Sequence, residues 1–237
     1  MRSSDDIASF ARAREHVLAQ IADGCARAGR ETATVTLVAI SKTVPAERLR
    51  AAVAAGLTTL GENRVQEAAE KVPQVPDAMW HLVGPLQSNK ARRAVELFDC
   101  IQSVDAIDLA RRLDRMAAEV RPGRPLPILL QVNVDDDASK AGFAPATVSA
   151  VLPELLDLPN LRVDGLMTIG RLVASPDFAR PTFQALRDLA ERLRATDGRL
   201  GSVLSMGMSA DYAVAVEEGA TIVRVGRALF GDRAAVG

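Results

Sequence analysis

Hydrophobic positions in the chain repeat first with the period of a helix and then as short, separated runs. Over residues 4–29, Ile7, Phe10, Ala11, Val17, Leu18 and Ile21 form an apolar stripe that only Arg14 interrupts. This spacing predicts a leading helix, and Gly29 is placed to stop it. Beyond it, apolar runs recur at 35–40, 57–60, 79–83, 100–104, 127–134, 161–169, 202–206 and 220–225. Helical patterns separate them at 45–55, 63–72, 88–97, 105–119, 145–157, 177–195 and 210–218. Pro45 suits a first helical turn, Asp105 and Ser209 suit N-caps, and Gly56 and Gly219 suit positions just past a helix end.

Alternation of this kind gives parallel strands joined by right-handed crossovers. Eight units predict a closed α/β barrel, (β/α)8 of the TIM type, with an extra N-terminal helix and residues 1–237 forming one domain. An open doubly wound sheet is the alternative if the short run at 57–60 is not a strand. The Pro/Gly-rich segment 121–127 reads as a loop, with no linker or internal repeat elsewhere.

Composition narrows the function. Aromatic residues are 3% of the chain, so the core is built from Ala, Val, Leu and Ile. That is unlike a stacking surface for single-stranded nucleic acid. A net charge of −1 supplies no field for nucleic acid or an anionic membrane. Cys25 and Cys100 fall far apart on a predicted helix and strand, as reduced packing residues of a cytoplasmic protein do. Two histidines, His16 and His81, do not make a zinc site. The N-terminus lacks an apolar signal region and no apolar run reaches the roughly 18 residues of a membrane span.

In such barrels the chemistry sits where strands end at their C-terminal side. The loops after the seventh and eighth strands read SMGMSAD (205–211) and RVGRALFG (224–231). Both offer glycine and a helix start, and the first also offers hydroxyls, which is the make-up of a phosphate cradle. Across the predicted mouth, Lys42 follows the first strand. It is one of only four lysines, against 25 arginines. Beside low-dielectric walls a lysine amine becomes neutral more easily and can form a Schiff base. An amine facing a phosphate site fits an aldehyde that carries a phosphate. Pyridoxal 5′-phosphate (PLP) and an aldolase-type sugar phosphate satisfy these features equally.

Seven segments separate the two. VAISKTVP (38–45), GENRVQE (61–67), WHLVGPLQSNK (80–90), SKAGF (139–143), GLMTI (165–169) and the two loops above occur in order. With them the chain resembles the PLP homeostasis proteins, single-domain relatives of alanine racemase, over about residues 7–231. The resemblance implies Lys42 in Schiff-base linkage with PLP. It implies a phosphate held by Ser209 and by backbone N–H groups near Gly226 and Arg227, with Ser205 contributing to that environment. It sets Arg224 against the pyridine nitrogen and places Asn63, His81 and Asn133 at the mouth near the ring. The implied role is to buffer PLP or deliver it to PLP-dependent apo-enzymes, as a cytoplasmic monomer.

The rivals are a low-activity PLP-dependent amino-acid racemase and an aldolase-like enzyme. A guanidinium can only donate, so the nitrogen it faces stays unprotonated and the ring is a weak electron sink. Alanine racemase also has a further C-terminal domain and a catalytic tyrosine. Here the chain ends six residues after Gly231, and its only tyrosine, Tyr212, lies in a predicted helix. These features favour holding over turnover. Lys90 and Lys140 read either as anion or secondary PLP contacts or as surface bases, Lys71 as solvated, and Asp135–Asp137 as a solvated loop. The segment 167–178 departs from many relatives and bears on access to the ring face.

Overall fold

The computed structural model describes residues 2–170 and 173–231. Eight strands among them close a barrel in sequence order, every neighbouring pair parallel. They are β1 Thr36–Ile40, β2 Thr59–Glu62, β3 Met79–Leu82, β4 Cys100–Val104, β5 Leu126–Gln131, β6 Leu161–Met167, β7 Val203–Met208 and β8 Ile222–Val225. The helices are α1 Arg2–Arg27, α2 Ala46–Ala54, α3 Val65–Lys71, α4 Ala91–Leu97, α5 Ile107–Val120, α6 Pro145–Leu156, α7 Arg180–Thr196, α8 Tyr212–Glu217 and α9 Arg227–Phe230. The pairing of β1 with β8 excludes the open sheet. The run at 57–60 is a strand displaced toward Glu62, because Leu57 belongs to the turn after α2. Gly56 and Gly219 do end helices, with φ of 90° and 102° that only glycine adopts without strain.

Burial follows the two periods of the sequence. Leu49, Leu60, Leu82, Ile101, Leu113 and Ile128 have no exposure and fill the layer between strands and helices. Inside the barrel a smaller cluster joins Val38, Cys100, Leu129, Met167 and Ile222 from five strands. Both cysteines are buried free thiols, and burial pushes the Cys100 thiol up. Two residues further along their strands the interior turns polar, with Gln102 after Cys100 and Arg224 after Ile222. An apolar layer thus closes the barrel below a polar one that faces the C-terminal end.

Helix α1 packs on α2, α8 and α9, and its stripe buries Phe10, Val17, Ile21 and Cys25. The Phe10 ring meets Phe230 of α9 edge-on at 5.5 Å, with the Arg48 guanidinium 5.1 Å above it. The leading helix therefore braces the short helix that follows Gly226. Phe10→Ala removes that brace, and by the usual cost of a phenylalanine cavity it lowers unfolding free energy by about 3–5 kcal/mol in urea titration.

Two expected caps are corrected. Helix α5 starts at Ile107, preceded by Ala106 in extended conformation, so Asp105 stands one residue too early to cap it. Ser209 does not cap α8 because Asp211 takes the N-cap position, and the Ser209 hydroxyl is used elsewhere.

Candidate functional site

Where the strands end, a cavity of about 660 Å³ opens, within the usual size of a small-molecule site. Ile40, Val83, Ile169, Val173 and Met208 give it apolar walls. Lys42, Asn63 and Arg224 enter it as polar groups, and the segments Ser209–Asp211 and Gly226–Arg227 close one side. Each comes from an element already set by the barrel. Lys42 follows β1, Asn63 follows β2, and Arg224 is the third residue of β8.

Glycine geometry shapes the closed side. Gly207 has φ of 89°, and a Cβ there would lie 2.5 Å from the Ala215 Cβ and 2.9 Å from the Tyr212 Cα. The chain can turn under α8 only because that atom is missing. The turn is locked by the Met208 N–H donating to Asp211 Oδ1 at 2.6 Å and the Asp211 N–H donating to the Met208 carbonyl at 3.0 Å. It presents Ser209, whose Oγ accepts the Gly226 N–H at 3.1 Å. The loops after β7 and β8 are thereby tied together at the start of α9. Burial raises the Asp211 pKa, against the pull of the Met208 N–H and the Arg224 charge.

Arg224 is 4% exposed and its hydrogen bonds cross the barrel. One guanidinium nitrogen donates to Ser205 Oγ at 2.6 Å and the other to the Thr168 carbonyl at 2.7 Å. Ser205 Oγ donates onward to Gln102 Oε1 at 2.6 Å, and Gln102 Nε2 lies 2.8 Å from His81 Nδ1. The directions along this chain are forced. Arginine has no acceptor, so Ser205 must pass its one proton to the Gln102 oxygen. The Gln102 amide then donates to His81 Nδ1, which leaves the ring proton on Nε2. Burial lowers the His81 pKa to about 4, with Asp99 opposing, so the ring is neutral at physiological pH. Burial lowers Arg224 to about 10 against the nearby Asp211, and it keeps its charge.

A histidine whose folded pKa is depressed is fully tolerated above its ordinary value of 6.5 and costs stability as pH falls toward 4. Between neutral pH and about pH 4.5 this single group costs about 2–3 kcal/mol. Urea titrations at both pH values should show His81→Gln, whose amide can still accept from Gln102, losing less stability on acidification than the native chain.

The cavity therefore brings together Lys42, Asn63, Ser209, Arg224, Gly226 and Arg227. Three other predicted site residues stand back from it. Ser205 has no exposure and its hydroxyl is spent between Arg224 and Gln102. His81 is buried beside Gln102. Asn133 shapes the loop after β5, accepting from the Asp137 N–H and donating to the Asp137 and Lys140 carbonyls. Tyr212 is buried and donates its hydroxyl to Gln20 of α1 at 2.7 Å. Lys140 lies 3.6 Å from Asp137. In the segment 167–178, Val173 lines the cavity and Phe178 is 67% exposed, while residues 171 and 172 lie outside the described residues.

One expectation fails outright. Lys71 is not solvated, for its ammonium is buried between Glu62, Glu67 and the Ser41 carbonyl at 2.6–2.8 Å. The strand end carrying Glu62 and the helix turn carrying Glu67 both face it. The i,i+4 spacing of Glu67 and Lys71 was the available sign, along with a glutamate directly at a strand end. The interior Gln102 and Thr168 were also missed as anything more than strand residues, although polar side chains inside apolar runs mark them.

Over residues 16–234 the chain matches the family model for the alanine racemase N-terminal domain. It belongs to that family. Among curated members, the pyridoxal phosphate homeostasis protein of Pseudomonas aeruginosa is 45% identical over 92% of this chain and 93% of its own length. That of Escherichia coli is 37% identical over 92% and 96%. The structure of PipY from Synechococcus elongatus with PLP bound superposes with a TM-score of 0.79 at 45% identity, covering 89% of this chain and all of PipY. Alanine racemase of Corynebacterium glutamicum, at 16% identity and a TM-score of 0.72, shares the fold across 98% of this chain and 62% of its own. That family accounts for the closed barrel, and its match reaches into helix α1 from residue 16.

Proposed function

We propose that this chain binds PLP at the barrel mouth, with Lys42 as its covalent anchor, and serves PLP homeostasis by holding the cofactor and releasing it to PLP-dependent apo-enzymes. One observation carries the reading: the primary amine of Lys42 lines the same apolar-walled cavity as Ser209, Gly226 and Arg227. The residues fit the group. Ser209 and the backbone at Gly226 and Arg227 would take the phosphate, and the apolar walls would take the ring. Arg224 would face the ring nitrogen. When bound, PLP supplies an aldehyde that condenses with a neutral amine.

The chain's own groups favour holding over turnover. Arg224 is charged, can only donate, and is fixed from behind by Ser205 and the Thr168 carbonyl. It would offer the ring nitrogen a hydrogen bond but no transferable proton, which leaves that nitrogen unprotonated and the cofactor a weak electron sink. The hydroxyl of Tyr212, which the sequence already set in a helix and not as an acid–base group, is engaged by Gln20. Among the described residues no helix is long and apolar enough to cross a membrane. With its buried free thiols, the chain is proposed to act in the cytoplasm as a monomeric single barrel domain.

Titration of the purified protein with PLP tests the reading. Near-visible absorption distinct from free PLP should saturate at about one equivalent. A spectrum that is only the sum of protein and free PLP would sink it. Incubation with single-enantiomer amino acids in deuterated water separates holder from racemase, because sustained exchange at Cα, lost in Lys42→Ala, would overturn the holding role.

A further inference from the structure

We infer that Lys71, Glu67 and Glu62 are positioning residues for Lys42, clamping both peptide units that flank it. This rests on the proposed role of Lys42 toward PLP. The peptide unit before Lys42 ends in the Ser41 carbonyl, which accepts from Lys71 Nζ at 2.8 Å. The unit after it carries the Thr43 N–H, which donates to Glu67 Oε1 at 2.6 Å. Lys71 Nζ also donates to that same Glu67 oxygen at 2.6 Å and to Glu62 Oε1 at 2.7 Å. A single ammonium thus closes a ring around the Lys42 Cα. Ser41 is tied in further by its Oγ donating to Glu62 Oε1 at 2.7 Å and its N–H donating to the Gly61 carbonyl at 2.9 Å.

Three observations make this more than a surface ion pair. Thr43 has φ of 66°, a left-handed conformation that a β-branched residue adopts only when its surroundings impose it. The bond from its N–H to a carboxylate supplies that imposition. Lys71 spends all three of its N–H donors on three acceptors, so its amine is closed to an aldehyde while the Lys42 side chain reaches the cavity. Glu62 has no exposure, and its second oxygen, Oε2, is buried with no hydrogen-bond partner among the described residues. Burial raises the Glu62 pKa. Glu67 is also opposed by burial, yet its bonds to Lys71 and Thr43 hold its pKa below the usual carboxylate range. Keeping a half-satisfied carboxylate in the interior is costly, which fits retention for geometry.

A lysine side chain is long and mobile, so the fold can aim its amine chiefly by fixing its Cα. The cradle at Ser209 and Gly226 stands on other elements and does not depend on the clamp. Binding of the phosphate and ring should therefore separate from reaction at the amine.

The test compares the native protein with Glu67→Ala, at a position whose side chain is 25% exposed, and with Glu67→Gln, which keeps an acceptor for the Thr43 N–H. Two quantities are read. One is affinity for pyridoxine 5′-phosphate, which has the ring and phosphate without an aldehyde. The other is the rate of the near-visible absorbance change on adding PLP. Glu67→Ala should bind the analogue within about twofold of the native protein yet react about tenfold more slowly, and Glu67→Gln should recover most of that rate. Lys71→Arg, which keeps charge but not the three-acceptor fit, provides an independent comparison and should show the same split. A native rate in these variants, or a loss of analogue affinity equal to the loss of rate, would overturn the clamp. If the native protein itself gives no absorbance change, the proposed function fails before the clamp is reached.

Discussion

Lys42→Ala should abolish the near-visible absorbance change on adding PLP and leave the fold intact. The side chain lines the cavity and is not part of the buried core, so the melting temperature should stay within about 2 °C of native. What remains is the non-covalent site, with Ser209, Gly226 and Arg227 at one side and apolar walls around the ring position. Retention of PLP through gel filtration should fall on the order of a hundredfold, because a bond held by effective concentration is replaced by contacts alone. Pyridoxine 5′-phosphate never forms that bond, so its affinity should be unchanged. An equal loss for both ligands would mean that Lys42 acts as a charge and not as an anchor.

The second large effect belongs to Arg224. Arg224→Met conserves much of the volume but strands Ser205 Oγ and the Thr168 carbonyl, both buried, without their donor. The Thr168 carbonyl loses its donor and Ser205 Oγ keeps only its bond to Gln102, and at about 1–3 kcal/mol for a buried unpaired group the unfolding free energy should fall by about 3 kcal/mol. For a chain of this size that lowers the melting temperature by roughly 6–12 °C. Ser205→Ala in the same chain should cost less than it does in the native chain, because one of the two bonds of its hydroxyl is already gone and only that to Gln102 remains. Additive losses across that double-mutant cycle would show that the two residues are not coupled.

The barrel was legible because each strand is a short apolar run and each helix repeats every three to four positions between them. Periodicity alone carries that information. The closed side of the cavity was legible for a related reason, since Gly207, Ser209 and Gly226 are residue types that turns and helix starts demand. Arg224 and Lys42 could be placed from their strand positions together with the family resemblance. What the one-dimensional pattern did not carry was pairing across the fold. Nothing near Lys71 in sequence shows that the Ser41 carbonyl will lie 2.8 Å from its ammonium, so a lysine on a helix read as solvated. Ser205 and His81 fall on the strands where the resemblance put site residues. Strand register sends them into the polar layer below the mouth, where Ser205 holds Arg224 directly and His81 backs it through Gln102. The capping role expected of Ser209 went to Asp211 for the same reason: the competing partner, the Gly226 N–H, arrives from another loop.

Borohydride reduction of the PLP-loaded protein, followed by peptide mass mapping, decides whether Lys42 is the covalent anchor. One phosphopyridoxyl adduct is expected, on the peptide containing Lys42, with Lys71 unmodified inside its three acceptors. An adduct on Lys71, Lys90 or Lys140 with Lys42 unmodified would contradict it.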